Sequence, residues 1–196
     1  MTKEYWIKFY KGKHILRFSN FAKFVIKFIK NPIRRVCDVG CGNGRDSYYL
    51  AKKWNTAEVV GVDYANKPQD KKNVVFVKKD IRDLIQKDVK FDLLYCRFFI
   101  HTIDDRLFDS ILKWGIKWVA IEVRSDKDKN KYKVFGEHER YYRTTNQLIN
   151  NFHFNGYEIR YLIEDKNLAK FQGENPIIIR IIAKKKLKNN IDNETI

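Results

Sequence analysis

Arg35-Val36-Cys37-Asp38-Val39-Gly40-Cys41-Gly42-Asn43-Gly44-Arg45-Asp46 is the stretch on which the fold turns. Arg35 to Val39 is strand-sized and mostly apolar, as a buried strand is. Three alternating glycines follow, and a helix is predicted from about Arg45 to Lys53. Glycines at a strand-to-helix turn let the backbone approach a ligand and take positive φ. The helix start beyond them supplies unpaired N–H groups. The G-x-G-x-x-G dinucleotide fingerprint is excluded, because its third glycine would fall on Arg45. A P-loop is excluded by the missing Gly-Lys-Ser/Thr ending. An acid, Asp38, ahead of Gly40, Cys41, Gly42, Asn43 and Gly44 suits a ligand with a cationic amino group. The helix N-terminus and Arg45 suit a carboxylate. Both groups belong to an amino-acid moiety.

Outward from this stretch, strand-like and helix-like segments alternate. Ser19 or Asn20 caps a predicted helix carrying Phe21, Phe24, Val25, Phe28 and Ile29, which Asn31-Pro32 ends. Further strands are predicted over Glu58–Val62, Val74–Lys78, Phe91–Tyr95, Trp118–Val123, Tyr157–Ile163 and Ile177–Ala183. Helical segments are predicted at Ile81–Ile85, around Leu107, Ile111 and Trp114, and from Thr144 or Thr145 through Phe152. The pattern implies an α/β, Rossmann-like, seven-stranded and mostly parallel sheet with helices on both faces and an antiparallel C-terminal hairpin strand. Residues 1–18 read as an aromatic and basic arm, with Tyr5, Trp6 and Tyr10 as candidates for a lid. Residues 19–184 read as the domain and 185–196 as a polar tail. Asp63 closes the second strand, where a carboxylate can accept both hydroxyls of a ribose. Asp80, past the third strand, suits an adenine amine, with the Ile81 backbone at the ring edge. Amino acid, ribose and adenine together describe S-adenosylmethionine, with S-adenosylhomocysteine as the product after methyl transfer.

With these motifs the chain resembles the class I S-adenosylmethionine-dependent methyltransferases over roughly residues 15–184. Within that superfamily it is similar to small sugar O-methyltransferases of glycan and polysaccharide assembly. The similarity rests on Phe18-Ser19-Asn20-Phe21-Ala22-Lys23-Phe24-Val25, Gly40 to Ser47, Tyr95-Cys96-Arg97-Phe98-Phe99-Ile100-His101, Leu168-Ala169-Lys170-Phe171, and Glu174-Asn175-Pro176 leading into Ile177. The resemblance implies that the end of the fourth strand faces the methyl group. Cys96 and Arg97 then become cofactor-binding candidates, with Arg97 suited to the cofactor carboxylate or to a substrate phosphate. Amino-group methyltransferases acting on bases often carry Asn or Asp followed by Pro-Pro there, which this chain lacks. His101 is the candidate general base for an acceptor hydroxyl, since imidazole titrates near neutrality. Past the fifth strand, His138, Arg140 and Tyr141 are candidate sugar-binding residues. Glu122 flanks the same edge as a substrate contact and alternative base. No metal is expected, because the cysteines lack paired zinc spacing.

The chain has 196 residues, with 40 Lys+Arg against 24 Asp+Glu and a formal charge of +16. Such an excess suits anionic partners, nucleic acid included. However, 28 of the basic residues are Lys and 16 residues are Asn, a bias that an AT-rich genome would write. Three cysteines, an odd number, point to a reducing, cytoplasmic setting, and no apolar stretch is long enough to span a membrane. The N-terminus shows no apolar signal segment. The expected partner is a small-molecule or glycan acceptor. The alternatives are RNA methylation and a non-catalytic, cofactor-binding regulatory subunit.

Overall fold

The computed structural model describes residues 3–11, 17–55, 57–85, 89–128, 140–170 and 173–186. Its elements are helix α1 (Lys3–Lys11), α2 (Asn20–Phe28), strand β1 (Arg35–Val39), α3 (Arg45–Lys53), β2 (Glu58–Val62), β3 (Val74–Val77), α4 (Arg82–Ile85), β4 (Leu93–Arg97), α5 (Asp105–Lys113), β5 (Trp118–Arg124), α6 (Thr145–Phe154), β6 (Tyr157–Asp165) and β7 (Ile178–Lys185). One seven-stranded sheet has the order β3-β2-β1-β4-β5-β7-β6. β7 is inserted between β5 and β6 and runs antiparallel to both. The neighbouring pairs from β3 to β5 are all parallel. Parallel strands need crossovers, and the helices that make them cover both faces.

Each face has its own core. Cys37, Val39, Cys96, Val119, Ile121 and Ile181 pack with α5 and α6 through Phe108, Ile111 and Phe152. On the other face Val36, Tyr95, Ala120 and Ile182 pack with α2 and α3 through Phe21, Val25 and Leu50. Period-two alternation of the strands sorts these residues. Thr144 closes α6 with a reciprocal capping box with Gln147, and Ser19 is the N-cap of α2. Most strand ends shift by one or two residues from the sequence expectation, and β7 runs on to Lys185. β4 lies two residues later, at Leu93–Arg97, because Asp92 turns its carboxylate to the backbone N–H groups of Arg34 and Arg35. The aromatic arm contains a helix, α1. Among the described residues no helix is long and apolar enough to cross a membrane.

Candidate functional site

The glycine turn joins β1 to α3 at the C-terminal edge of the parallel strands. Gly40, Gly42 and Gly44 have φ of 72°, 57° and 74°, a region that costs any residue with a Cβ. Gly40 and Cys41 donate their backbone N–H groups to the carbonyl of Val62. Gly42 donates to Asp63 Oδ2 (3.0 Å), and Asn66 Nδ2 returns a bond to the Gly42 carbonyl (3.0 Å). Phe76 of β3 closes the turn from the side: a Cβ on Gly44 would lie 2.4 Å from its ring, and one on Gly61 2.5 Å. The backbone cradle is therefore latched to the ends of β2 and β3.

The acids around it are buried. Asp38 accepts from Ser47 Oγ at 2.5 Å. Burial pushes the Asp38 carboxyl up to about 7, the Ser47 bond opposes that, and Asp46 and Asp63 add to it. Asp63 is raised by burial against the pull of its three backbone donors, Gly42, Ala65 and Asn66. Those donors take about three of the roughly four acceptor positions of a carboxylate. Two of them bind Oδ1 and one binds Oδ2, so Oδ2 keeps the most room for a ribose hydroxyl. Cys41 and Cys96 thiols are driven well above their usual range by burial, so both stay protonated at neutral pH.

Cys96 can meet a cofactor through its main chain alone. Its side chain is fully buried in the core beside α5, on the opposite face from Asp38 and Arg97, so only its main chain is left for a ligand. Asp80 is half-buried and binds Arg82 through its main-chain N–H and its guanidinium (both 2.9 Å). Ile81 is buried in the core, with its carbonyl accepting from Leu84 and Ile85.

Glu122 departs from the sequence expectation. It is fully buried, and each oxygen accepts from a guanidinium: Oε1 from Arg97 Nε at 2.8 Å and Oε2 from Arg180 Nε at 2.5 Å. So engaged, it is neither a substrate contact nor an available base. Arg97 stacks over the Phe98 ring (4.3 Å to the centroid). Phe98 has φ of 55°, rare for a bulky residue and a mark of local strain. The His101 ring is buried in a 3-10 turn (Ile100–Thr102), 5.9 Å from the Phe98 ring. The backbone N–H of Tyr141 donates to the His101 carbonyl at 2.9 Å. Tyr141 is half-exposed, and Arg140 donates to the Tyr142 hydroxyl (3.3 Å). His138 lies outside the described residues, as does the lid candidate Tyr10 for its side chain.

Two clusters were not foreseen. Asp46 receives the Ser19 N–H (2.7 Å), the Ser19 hydroxyl (2.7 Å) and the Tyr95 hydroxyl (2.8 Å). It thereby ties the start of α2 to the glycine motif. Arg143 is buried and donates to Asp105 and to the carbonyls of Ile100 and Ile103, stapling the β4–α5 connection that carries His101. Asp46 stands within the motif, but its partners are 27 and 49 residues away.

S-adenosylmethionine fits these residues: a positive-φ glycine cradle, a buried acid at Asp38 for an ammonium, and an acceptor position at Asp63. A methyltransferase-domain family model matches residues 36–114, the run from β1 to just past α5. The chain is 35% identical over 103 residues to phosphoethanolamine N-methyltransferase 1 of Zea mays, a match covering 47% of this chain and 20% of that protein. It thus spans about one fifth of the length of this curated relative. Among solved structures, an S-adenosylmethionine-dependent methyltransferase from Methanosarcina mazei superposes with a TM-score of 0.65 at 18% identity, covering 84% of this chain and 98% of that one. Magnesium protoporphyrin IX methyltransferase from Synechocystis, solved with bound S-adenosylhomocysteine, gives 0.64 at 16% identity, covering 93% and 94%. Residues 36–114 thus resemble a methyltransferase domain, and the seven-stranded architecture is the fold of these S-adenosylmethionine-dependent methyltransferases.

Proposed function

We propose that the protein transfers a methyl group from S-adenosylmethionine to a hydroxyl of a sugar, on a glycan or a nucleotide sugar. The observation that carries the cofactor half is the cradle of three left-handed glycines flanked by buried Asp38 and Asp63. Asp38 takes the ammonium, Asp63 a ribose hydroxyl, and Asp80 with the Ile81 backbone the adenine edge. The bound cofactor supplies an electrophilic methyl group. Helix α1 bears on the same edge: Glu4 acts electrostatically on Tyr64, next to Asp63, and Arg140 acts on Tyr5. In this reading α1, with Tyr5 and Trp6, serves as a lid that excludes water.

The acceptor half is supported by the joining of His101 to the segment after β5 through the Tyr141 bond. In this assignment an imidazole nitrogen of His101 takes the proton of the acceptor hydroxyl as its oxygen attacks. Arg140, Tyr141 and His138 hold the sugar. The Tyr141 ring offers a stacking face and Arg140 a donor.

A methyl-transfer screen read by mass shift tests both halves. The acceptors are simple glycosides, nucleotide sugars, phosphoethanolamine and tRNA. A methyl gain on a sugar oxygen, lost in His101→Ala with cofactor affinity kept, is the expected result. A methyl gain on the amine of phosphoethanolamine or on tRNA would overturn the sugar assignment and leave the cofactor assignment standing. Wild-type protein that binds no S-adenosylhomocysteine would overturn both.

A further inference from the structure

At the C-terminal edge, Arg97, Glu122 and Arg180 are direct register partners on β4, β5 and β7. All three side chains rise on the face that Asp38, Tyr95 and α2 share. Glu122 holds the Nε of each arginine, Arg180 also donates to the Leu168 carbonyl (2.8 Å), and its guanidinium lies over the Phe21 ring. Among the described residues, the two terminal nitrogens of Arg97 make no further protein hydrogen bond or ion pair. Arg45 stands at the start of α3, its Nε 4.0 Å from Asp46, with one terminal nitrogen on the Arg17 carbonyl. Three guanidiniums (Arg45, Arg97, Arg180) stand with Glu122 and Asp46, all mostly withdrawn from solvent, and buried Asp38 lies on the same face within the influence of Arg45. Burial and the Arg97 charge both act against Arg45 and pull its pKa down. A mostly buried guanidinium whose terminal nitrogens meet no protein acceptor is costly unless another acceptor meets them.

Resting on the assignment of S-adenosylmethionine above, we propose that Glu122 and Arg180 are positioning residues that aim Arg97, with Arg45 beside it, at the carboxylate of the cofactor's amino-acid moiety. Asp38 and Tyr95 are register partners on β1 and β4, and Arg97 is two residues beyond Tyr95 on the same face. An acid and a guanidinium thus stand on adjacent strands at a spacing suited to a zwitterion, the acid for its ammonium and the guanidinium for its carboxylate. Using Nε on Glu122 leaves the outer edge of the Arg97 fork for the ligand, where two parallel N–H bonds match a carboxylate. Because Glu122 is anchored from its far side by Arg180, the aim of Arg97 depends on a residue on β7 that touches no ligand.

Two ligands that differ in the amino-acid moiety test this. S-adenosylhomocysteine carries it; 5′-methylthioadenosine keeps the adenosine and the thioether and lacks it. By calorimetry, Arg97→Met should weaken S-adenosylhomocysteine about 10- to 100-fold, the worth of a charge-assisted pair, and leave methylthioadenosine unchanged. Arg180→Met should lower the same selectivity ratio about 3- to 10-fold through the lost aim, and Arg180→Lys, which keeps a cation on Glu122, should restore most of it. Since the readout is a ratio of two ligands on one protein, a variant that is merely less stable does not move it. Unchanged S-adenosylhomocysteine affinity in Arg97→Met, or equal loss of both ligands, would overturn the proposal. An Arg180→Met protein with the wild-type ratio would overturn the positioning role. Failure of the wild type to bind either ligand would instead overturn the cofactor assignment itself.

Discussion

Asp38 sets the pH behaviour of the site. Its carboxyl titrates at about 7 in the ligand-free protein because burial and two neighbouring acids disfavour the charge. An ammonium beside it favours the charged form, so binding below pH 7 must release a proton. S-adenosylhomocysteine affinity should therefore fall about tenfold from pH 7.5 to 6.0, and Asp38→Asn should flatten that dependence at the weak level. The sign for stability is opposite. The folded value lies above the unfolded value of about 3.9, so the contribution of this group is full below about pH 4 and is lost as pH rises through 7. Asp38→Asn should accordingly melt higher than wild type at pH 8 while binding more weakly, a pairing that calorimetry and thermal unfolding check together. Phe98 gives a second residue-scale expectation. Its φ of 55° strains any side chain, so Phe98→Gly and Phe98→Ala lose the same ring but only glycine relieves the backbone. The glycine variant should be more stable than the alanine variant by about 1 kcal/mol in urea unfolding.

Between elements, the glycine turn works because other elements fill its surroundings. Gly44 starts α3 at positive φ with the Phe76 ring against it. Gly44→Ala adds both backbone strain and a clash with the Phe76 ring. A destabilisation of about 2–4 kcal/mol is expected, with cofactor binding impaired even at temperatures where the fold persists; denaturant titration with and without S-adenosylhomocysteine separates the two effects. The elements themselves were legible in the chain. Val59-Val60-Gly61-Val62 and Val74-Val75-Phe76-Val77 are apolar runs of strand length between polar turns, and Thr144 with Gln147 spells out a helix start. Which side chain meets which was not legible. Glu122 read as a free acid at a ligand edge because its partner Arg180 is 58 residues away and faces it only through the antiparallel insertion of β7. The core-facing side chain of Cys96 was not legible either, because strand position alone does not tell which face the odd and even residues take until the register is known.

Across the molecule the buried ion pairs are made by arginine, while Arg35, Arg82 and Arg160 pair at the surface as the lysines do. Arg97, Arg124, Arg143 and Arg180 hold buried pairs or carbonyls in the interior. The lysine pairs, Lys67–Asp70, Lys113–Asp109 and Lys127–Glu164, leave the lysine at least half exposed. The planar fork of arginine suits buried bidentate contacts, whereas the strongly hydrated ammonium stays in water. The formal +16 is consequently a surface property, carried by lysines that repel one another more than they are compensated. Self-repulsion of this kind opposes the compact state and is screened by salt over about 10 Å at 0.1 M. The interior row of Arg97, Glu122 and Arg180 is shielded by burial and responds little. Raising NaCl from 50 to 500 mM should therefore raise the melting temperature by several degrees. S-adenosylhomocysteine affinity should change less than threefold over the same range, because its charged contacts lie in the partly buried site. A melting temperature that falls with salt would show that the surface charges are mutually paired and stabilising. Cofactor affinity falling tenfold or more would show that the carboxylate is held by exposed lysines instead of Arg97 and Arg45.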